Sequence, residues 1–188
     1  MTSPHSNRGM PFEELVERVC TSYERRGIMR LRKVDPPTFM INGQWVRKTS
    51  PFLDYVGTWT ERGGRAIFLE CKSTRGGKLP MFSKGGLTDE QYKALQAWHQ
   101  AGAVSCLLWL DRSMVALVTA SQIETHIERA RECKTPRCLS FDQLEAKFSI
   151  SEVYSFVTAI RWYYDNEPSK EEALPLFKQT NKHANQAQ

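Results

Sequence analysis

Leu53-Asp54-Tyr55-Val56-Gly57-Thr58-Trp59-Thr60 and Arg65-Ala66-Ile67-Phe68-Leu69-Glu70-Cys71-Lys72 decide how this chain is read. Both runs are rich in strand-forming residues, and Glu61-Arg62-Gly63-Gly64 between them is a tight connection, so they predict a β-hairpin. Alternation along the second run puts Phe68, Glu70 and Lys72 on one face and Ile67, Leu69 and Cys71 on the other. With the turn at Arg62-Gly63, Asp54 falls opposite Cys71, within one residue of both Glu70 and Lys72. Two carboxylates and an ammonium then converge.

That convergence has a use in phosphodiester hydrolysis. Two carboxylates offer oxygen ligands to Mg²⁺ or Mn²⁺, and the metal polarises a phosphate and acidifies its water. A lysine beside it orients that water or stabilises charge developing on the phosphorus. An acid-x-Lys tripeptide alone is common by chance and usually just faces solvent. Here the flanking hydrophobics, the earlier Asp at hairpin distance and the basic surroundings favour the chemical reading.

Working outward, Pro11 to Arg26 places Phe12, Leu15, Val16, Val19 and Tyr23 at helical spacing, with Gly27 as the stop. Ile28 to Ser50 reads as a short strand and then a projecting hairpin turned by Asn42-Gly43. Residues 73–87 read as a loop. Asp89 to Gln100 reads as a helix with Thr88 as cap and a capping box behind it. Val104 to Leu110 and Met114 to Thr119 are apolar strands split by Asp111-Arg112-Ser113. Ser121 to Cys133 is helical, Ser140 to Lys147 fits either element, and Ser151 to Asp165 is an aromatic-rich helix. The pattern predicts one α/β domain over residues 1–166, a mixed sheet flanked by helices, with a stalk-like insertion at about 35–50 and a polar tail at 167–188.

The chain has 188 residues, 40% of them hydrophobic, enough for a real core. A net charge of +5 favours a polyanionic partner, and nucleic acid leads. No apolar run approaches the ~18 residues that span a bilayer, and the start MTSPHSNRG lacks an apolar signal region, so a soluble cytoplasmic protein without a membrane partner is expected. The five scattered cysteines fit reduced thiols. Seven basic residues between Arg25 and Lys48 face one acid, Asp35, and four more between Cys71 and Thr88 face none. Candidate DNA contacts are Arg30, Arg32, Lys33, Arg47, Lys48, Arg75, Lys78 and Lys84 from these stretches, together with Arg8 and Thr74. The glycines of Arg75-Gly76-Gly77-Lys78 and Lys84-Gly85-Gly86 suit loops that close over DNA.

Other signals are weaker. Gly76-Gly77-Lys78 lacks the upstream Gly and the following Ser or Thr of a phosphate loop. Cys133 and Cys138 lack the further ligands of a zinc site. His99 has no nucleophile motif beside it, and Tyr154, Phe156, Trp162, Tyr163 and Tyr164 suit a core or a dimer contact better than base stacking. Tyr55 and Trp59 suit packing and DNA contact equally.

The order Asp54, Glu70-x-Lys72 and then a helix carrying Gln91 resembles the PD-(D/E)XK nuclease superfamily, whose fold is restriction-endonuclease-like. Phe12-Glu13, Lys33-x-Asp35-Pro36-Pro37, Asp54-Tyr55-x-Gly57, Glu70-x-Lys72-x-Thr74 and Leu79-Pro80 look more narrowly like RecU-type Holliday junction resolvases, over about residues 9–120. The resemblance implies a Mg²⁺-dependent homodimer, with Mn²⁺ substituting, that nicks four-way DNA junctions in symmetric pairs during recombination or phage genome processing, in a bacterial or phage-infected cytoplasm. It makes Asp54 and Glu70 metal ligands, Lys72 the catalytic lysine, Glu13 a further acid on the metal, the Cys71 carbonyl a further ligand, and Gln91 a supporting residue. Phe52-Leu53 stands where that family has small hydroxyl residues, and the stalk is shorter. These departures motivate one alternative, a restriction-like or repair nuclease on other duplex or branched DNA; a second, from a different class, is a non-catalytic DNA-binding module with a nuclease fold.

Overall fold

A computed structural model describes residues 10–35, 38–47, 53–83, 85–133, 137–149 and 156–165. The described residues fall into two compact units, the second beginning at Phe156. Helix α1 (Met10–Arg25) opens the first, with Glu13 in its first turn and Arg25 in its last, each sign suited to its end of the helix dipole. Strand β1 (Arg30–Lys33) follows, then β2 (Thr38–Ile41) and β3 (Gln44–Arg47), a separate two-stranded hairpin. Its turn is Asn42-Gly43, both at positive φ as a tight hairpin requires. Phe39, Met40 and Ile41 are all exposed, so both faces of β2 stand in solvent.

The main sheet has six strands in the order β1-β4-β5-β7-β8-β10. They include β4 (Tyr55–Trp59), β5 (Arg65–Thr74), β7 (Val104–Asp111), β8 (Met114–Thr119) and β10 (Lys147–Ser149). Only β5 and β7 run parallel, joined through helix α2 (Asp89–Gln100); the other neighbours are antiparallel. Helix α3 (Ala120–Glu132) follows β8 directly. Both α2 and α3 begin with a capping box, on Thr88 with Gln91 and on Thr119 with Gln122.

Phe68, Leu107, Trp109, Ala116 and Val118 of the sheet pack with Leu95 of α2 and Ala120, Ile123 and Ile127 of α3. Tyr55, on the opposite face, donates its hydroxyl to the Glu13 carbonyl of α1 at 3.1 Å. The central strands are thus covered on both sides, and all of β7 is buried.

Several expectations are corrected. The β4–β5 register pairs Tyr55 with Leu69 and so carries Asp54 on to Glu70, one residue short of the expected Cys71. The connection begins one residue earlier than Glu61, as a 3-10 turn (Thr60–Arg62) followed by Gly63 and Gly64 at positive φ. Residues 73–87 are not all loop, because β5 runs on to Thr74 and β6 (Lys78–Pro80) pairs with β9 (Cys138–Ser140). Tyr55 and Trp59 are buried, which settles them as packing residues. Helix α4 (Phe156–Asp165) belongs to the second unit. Arg8, Pro36, Pro37, Lys48, Phe52, Lys84, Tyr154 and the tail at 167–188 lie outside the described residues, as do the side chains of Arg47, Trp162 and Tyr163.

Candidate active site

The site forms where β5 outruns β4. Strand β4 begins at Tyr55, so the Cys71 N–H has no ladder partner there and donates instead to Asp54 Oδ2 at 2.7 Å. Within a strand, a residue's N–H and C=O point to the same neighbour, so the Cys71 carbonyl also faces this gap. Asp54 is fixed from behind as well, its carbonyl accepting from the Val34 N–H at 2.8 Å.

Gly57, two residues along β4 from Tyr55, lets β1 approach this strand. A Cβ at Gly57 would stand 1.8 Å from the Arg30 carbonyl oxygen, so only glycine fits opposite Leu31.

Glu70 is 1% exposed. Its Oε1 accepts from Gln91 Nε2 at 2.5 Å and is met by Lys72 Nζ at 2.7 Å. The Gln91 amide is itself pinned, because its Oε1 closes the α2 capping box by accepting from the Thr88 N–H at 3.1 Å. One end of the carboxylate is therefore locked by two donors, and the geometry aims the other end. That other oxygen, Oε2, is buried with no hydrogen-bond partner.

Burial is the main cause that lifts the Glu70 carboxyl to about 8, with the Asp54 charge next and Lys72 opposing both. Asp54 is raised too, chiefly by burial, while the Cys71 N–H and Lys72 pull it back. Burial, followed by the two carboxylates, pushes the Cys71 thiol well above its ordinary range, which makes it an inert neighbour. A buried and a half-buried carboxylate disfavouring each other's charge are what a cation would relieve. The orphaned Oε2, the Asp54 carboxylate and the Cys71 carbonyl fit a hard divalent ion in donor chemistry.

Glu13 is not gathered into this group. Its carboxylate is paired with Lys33 at 2.7 Å, and Lys33 also reaches Glu17 at 3.3 Å. Among the described residues, no group of three His, Cys, Asp or Glu side chains is placed to hold a metal ion. The charged donors are the Asp54–Glu70 pair.

The candidate DNA contacts divide sharply. Arg30 and Arg32 both lie on Glu24, at 3.0 Å and 2.6 Å, and Lys33 is held on α1 as above, so the β1 cations are already paired. The Thr74 hydroxyl is turned inward, donating to Asp111 Oδ1 at 2.7 Å and accepting from Trp109 Nε1 at 2.8 Å. Arg75 and Lys78 are exposed and make no ion pair among the described residues. Asp111 escaped the sequence reading because it looks like a turn residue; only the parallel register Thr74↔Asp111 brings it to β5.

No family model matches the chain, and no curated protein matches it. Among solved structures, it is similar to Hjc, a Holliday junction resolvase from the archaeal hyperthermophile Archaeoglobus fulgidus, at 13% identity and a TM-score of 0.45, covering 76% of this chain and 98% of that one. No helix among the described residues is long and apolar enough to cross a membrane.

Proposed function

We propose that the chain is a metal-dependent DNA endonuclease of the PD-(D/E)XK type, a homodimeric Holliday junction resolvase that uses Mg²⁺ or Mn²⁺. One observation carries the nuclease reading: a Glu70 carboxylate that is buried, locked at Oε1, unpartnered at Oε2 and set beside Asp54. A buried charge in that state is costly unless protonated or met by a cation. Asp54, Glu70 and the Cys71 carbonyl would hold the ion, with Glu13 joining them only if Lys33 releases it. When bound, such an ion supplies Lewis-acid polarisation of a phosphate and a more acidic water.

The chain's own residues do the rest. Gln91 fixes the Glu70 rotamer through the α2 cap. Lys72 stands beside Glu70 with its side chain 19% exposed, where it can meet a phosphate oxygen. Arg75, just past β5, and Lys78, at the start of β6, offer cations that are unpaired among the described residues. The junction as substrate is supported by the residue order shared with RecU-type resolvases and by a β2–β3 hairpin that is separate from the main sheet. Two equivalent cuts across a four-way junction call for two equivalent sites, hence a twofold dimer.

The test is a labelled immobile four-way junction beside a matched linear duplex, with Mg²⁺, Mn²⁺ or EDTA, read on a denaturing gel. Paired symmetric nicks in the junction are expected, lost in EDTA and in Asp54→Ala and Lys72→Ala, with junction binding retained. Equal cutting of the duplex would replace the resolvase by a restriction-like or repair nuclease. Tight binding without cutting would leave a DNA-binding module.

A further inference from the structure

Asp111, at the end of β7, is 7% exposed and takes no part in the Asp54–Glu70 site. Its Oδ1 accepts from the Thr74 hydroxyl at 2.7 Å and from the Gly77 N–H at 2.9 Å. Thr74 is held in turn by Trp109, and the Gly77 carbonyl accepts from the Phe141 N–H at 2.8 Å. Arg112 Nε donates to the Arg75 carbonyl at 3.4 Å. The segment Arg75-Gly76-Gly77-Lys78 is thus tied at several points, where its two glycines would otherwise leave it many conformations. It is not the free flap that its composition suggests.

What this tie achieves follows from where the segment starts. Thr74 lies two residues beyond Lys72 on β5, about 7 Å along the strand. Among the described residues the exposed cations that follow, Arg75 and Lys78, are unpaired, whereas Arg30, Arg32 and Lys33 are held by acids of α1. We infer that Asp111 is a positioning residue for the DNA backbone: through Thr74 and Gly77 it fixes the Arg75–Lys78 loop so that its cations hold a phosphate flanking the one at Lys72. This rests on the nuclease reading of the site and adds to it a buried acid that acts by placing positive charge.

The sign of the effect makes it testable. Removing a negative charge from a protein that binds a polyanion strengthens binding if only net charge matters. Loss of the anchor weakens it. Anisotropy titrations of a fluorescent four-way junction in EDTA, across a salt series, should show Asp111→Ala binding on the order of tenfold more weakly, with a log–log salt slope shallower by about one to two. Asp111→Asn keeps an acceptor oxygen and should keep the parent slope. Thr74→Val, which cuts the link between Trp109 and Asp111, should weaken binding in the same way and decides the matter if Asp111→Ala does not fold. In an Arg75→Ala/Lys78→Ala background, Asp111→Ala should add nothing.

Asp111→Ala that binds as tightly as the parent, or a full additional loss in the loop-neutralised background, overturns the anchor alone. A parent protein that binds no DNA overturns the nuclease reading on which it rests.

Discussion

The Glu70 carboxylate is held by two donors at one oxygen and by none at the other, so its protonation must register in the stability of the metal-free protein. Its carboxyl is raised from 4.5 to about 8, first by burial and then by Asp54, which shifts the same way. Between those values the folded state keeps a proton that the unfolded chain has released. The sign follows: the contribution to stability is complete below the unfolded value and is lost as pH rises through the folded one. Urea unfolding of EDTA-treated protein should therefore lose on the order of a few kcal/mol between about pH 5 and pH 8.5. The loss should shrink in Glu70→Gln, which carries no charge to bury, and on adding Mg²⁺, which binds the folded state. A profile that is flat or that rises over this range would show that Glu70 is not a buried, incompletely satisfied carboxylate.

At the scale of elements, Gly57 is where the sheet is most sensitive. A methyl there meets the backbone of Arg30 and Leu31, which cannot rotate away as a side chain would, so β1 must shift off β4. Gly57→Ala should cost about 3 kcal/mol in urea unfolding. It should also speed hydrogen exchange at the Val34 N–H, whose acceptor is the Asp54 carbonyl, and so disturb the site from its edge. Unchanged stability and unchanged exchange would mean that β1 is not packed as described. Elements with a local signal were legible in the sequence: α1 by its spacing, α2 by Thr88 and Gln91, the β2–β3 hairpin by Asn42-Gly43. Elements fixed by distant partners were not. Strands β6 and β9 have three residues each and exist because they pair with each other. The register of β4 was misjudged by one residue because the 3-10 turn after Trp59 cannot be seen in Glu61-Arg62-Gly63-Gly64.

For the whole molecule, the same division separates the site from its support. Asp54, Glu70, Lys72 and Gln91 stood out because their residue types and order carry chemistry, while Asp111 depends on the parallel β5–β7 pairing, which no local pattern announces. The burial of one face of that pairing can be read through the thiols, because Cys106 pairs with Leu69 and so shares the Cys71 face. Cys20 of α1, Cys71 of β5 and Cys106 of β7 are buried; Cys138 is half-buried and Cys133 exposed. Burial also pushes the Cys20 thiol up to about 12, chiefly by desolvation, so it has almost no thiolate at neutral pH. Reaction of the native protein with a disulfide reagent near pH 8 should thus modify Cys133 at once and Cys138 more slowly, while the three core thiols wait for the structure to open. Peptide mapping of the modified sites against time gives the order, and denaturant should expose all five cysteines together. Reaction of Cys71 or Cys106 as early as Cys133 would mean that the face of the sheet toward α1 is not covered.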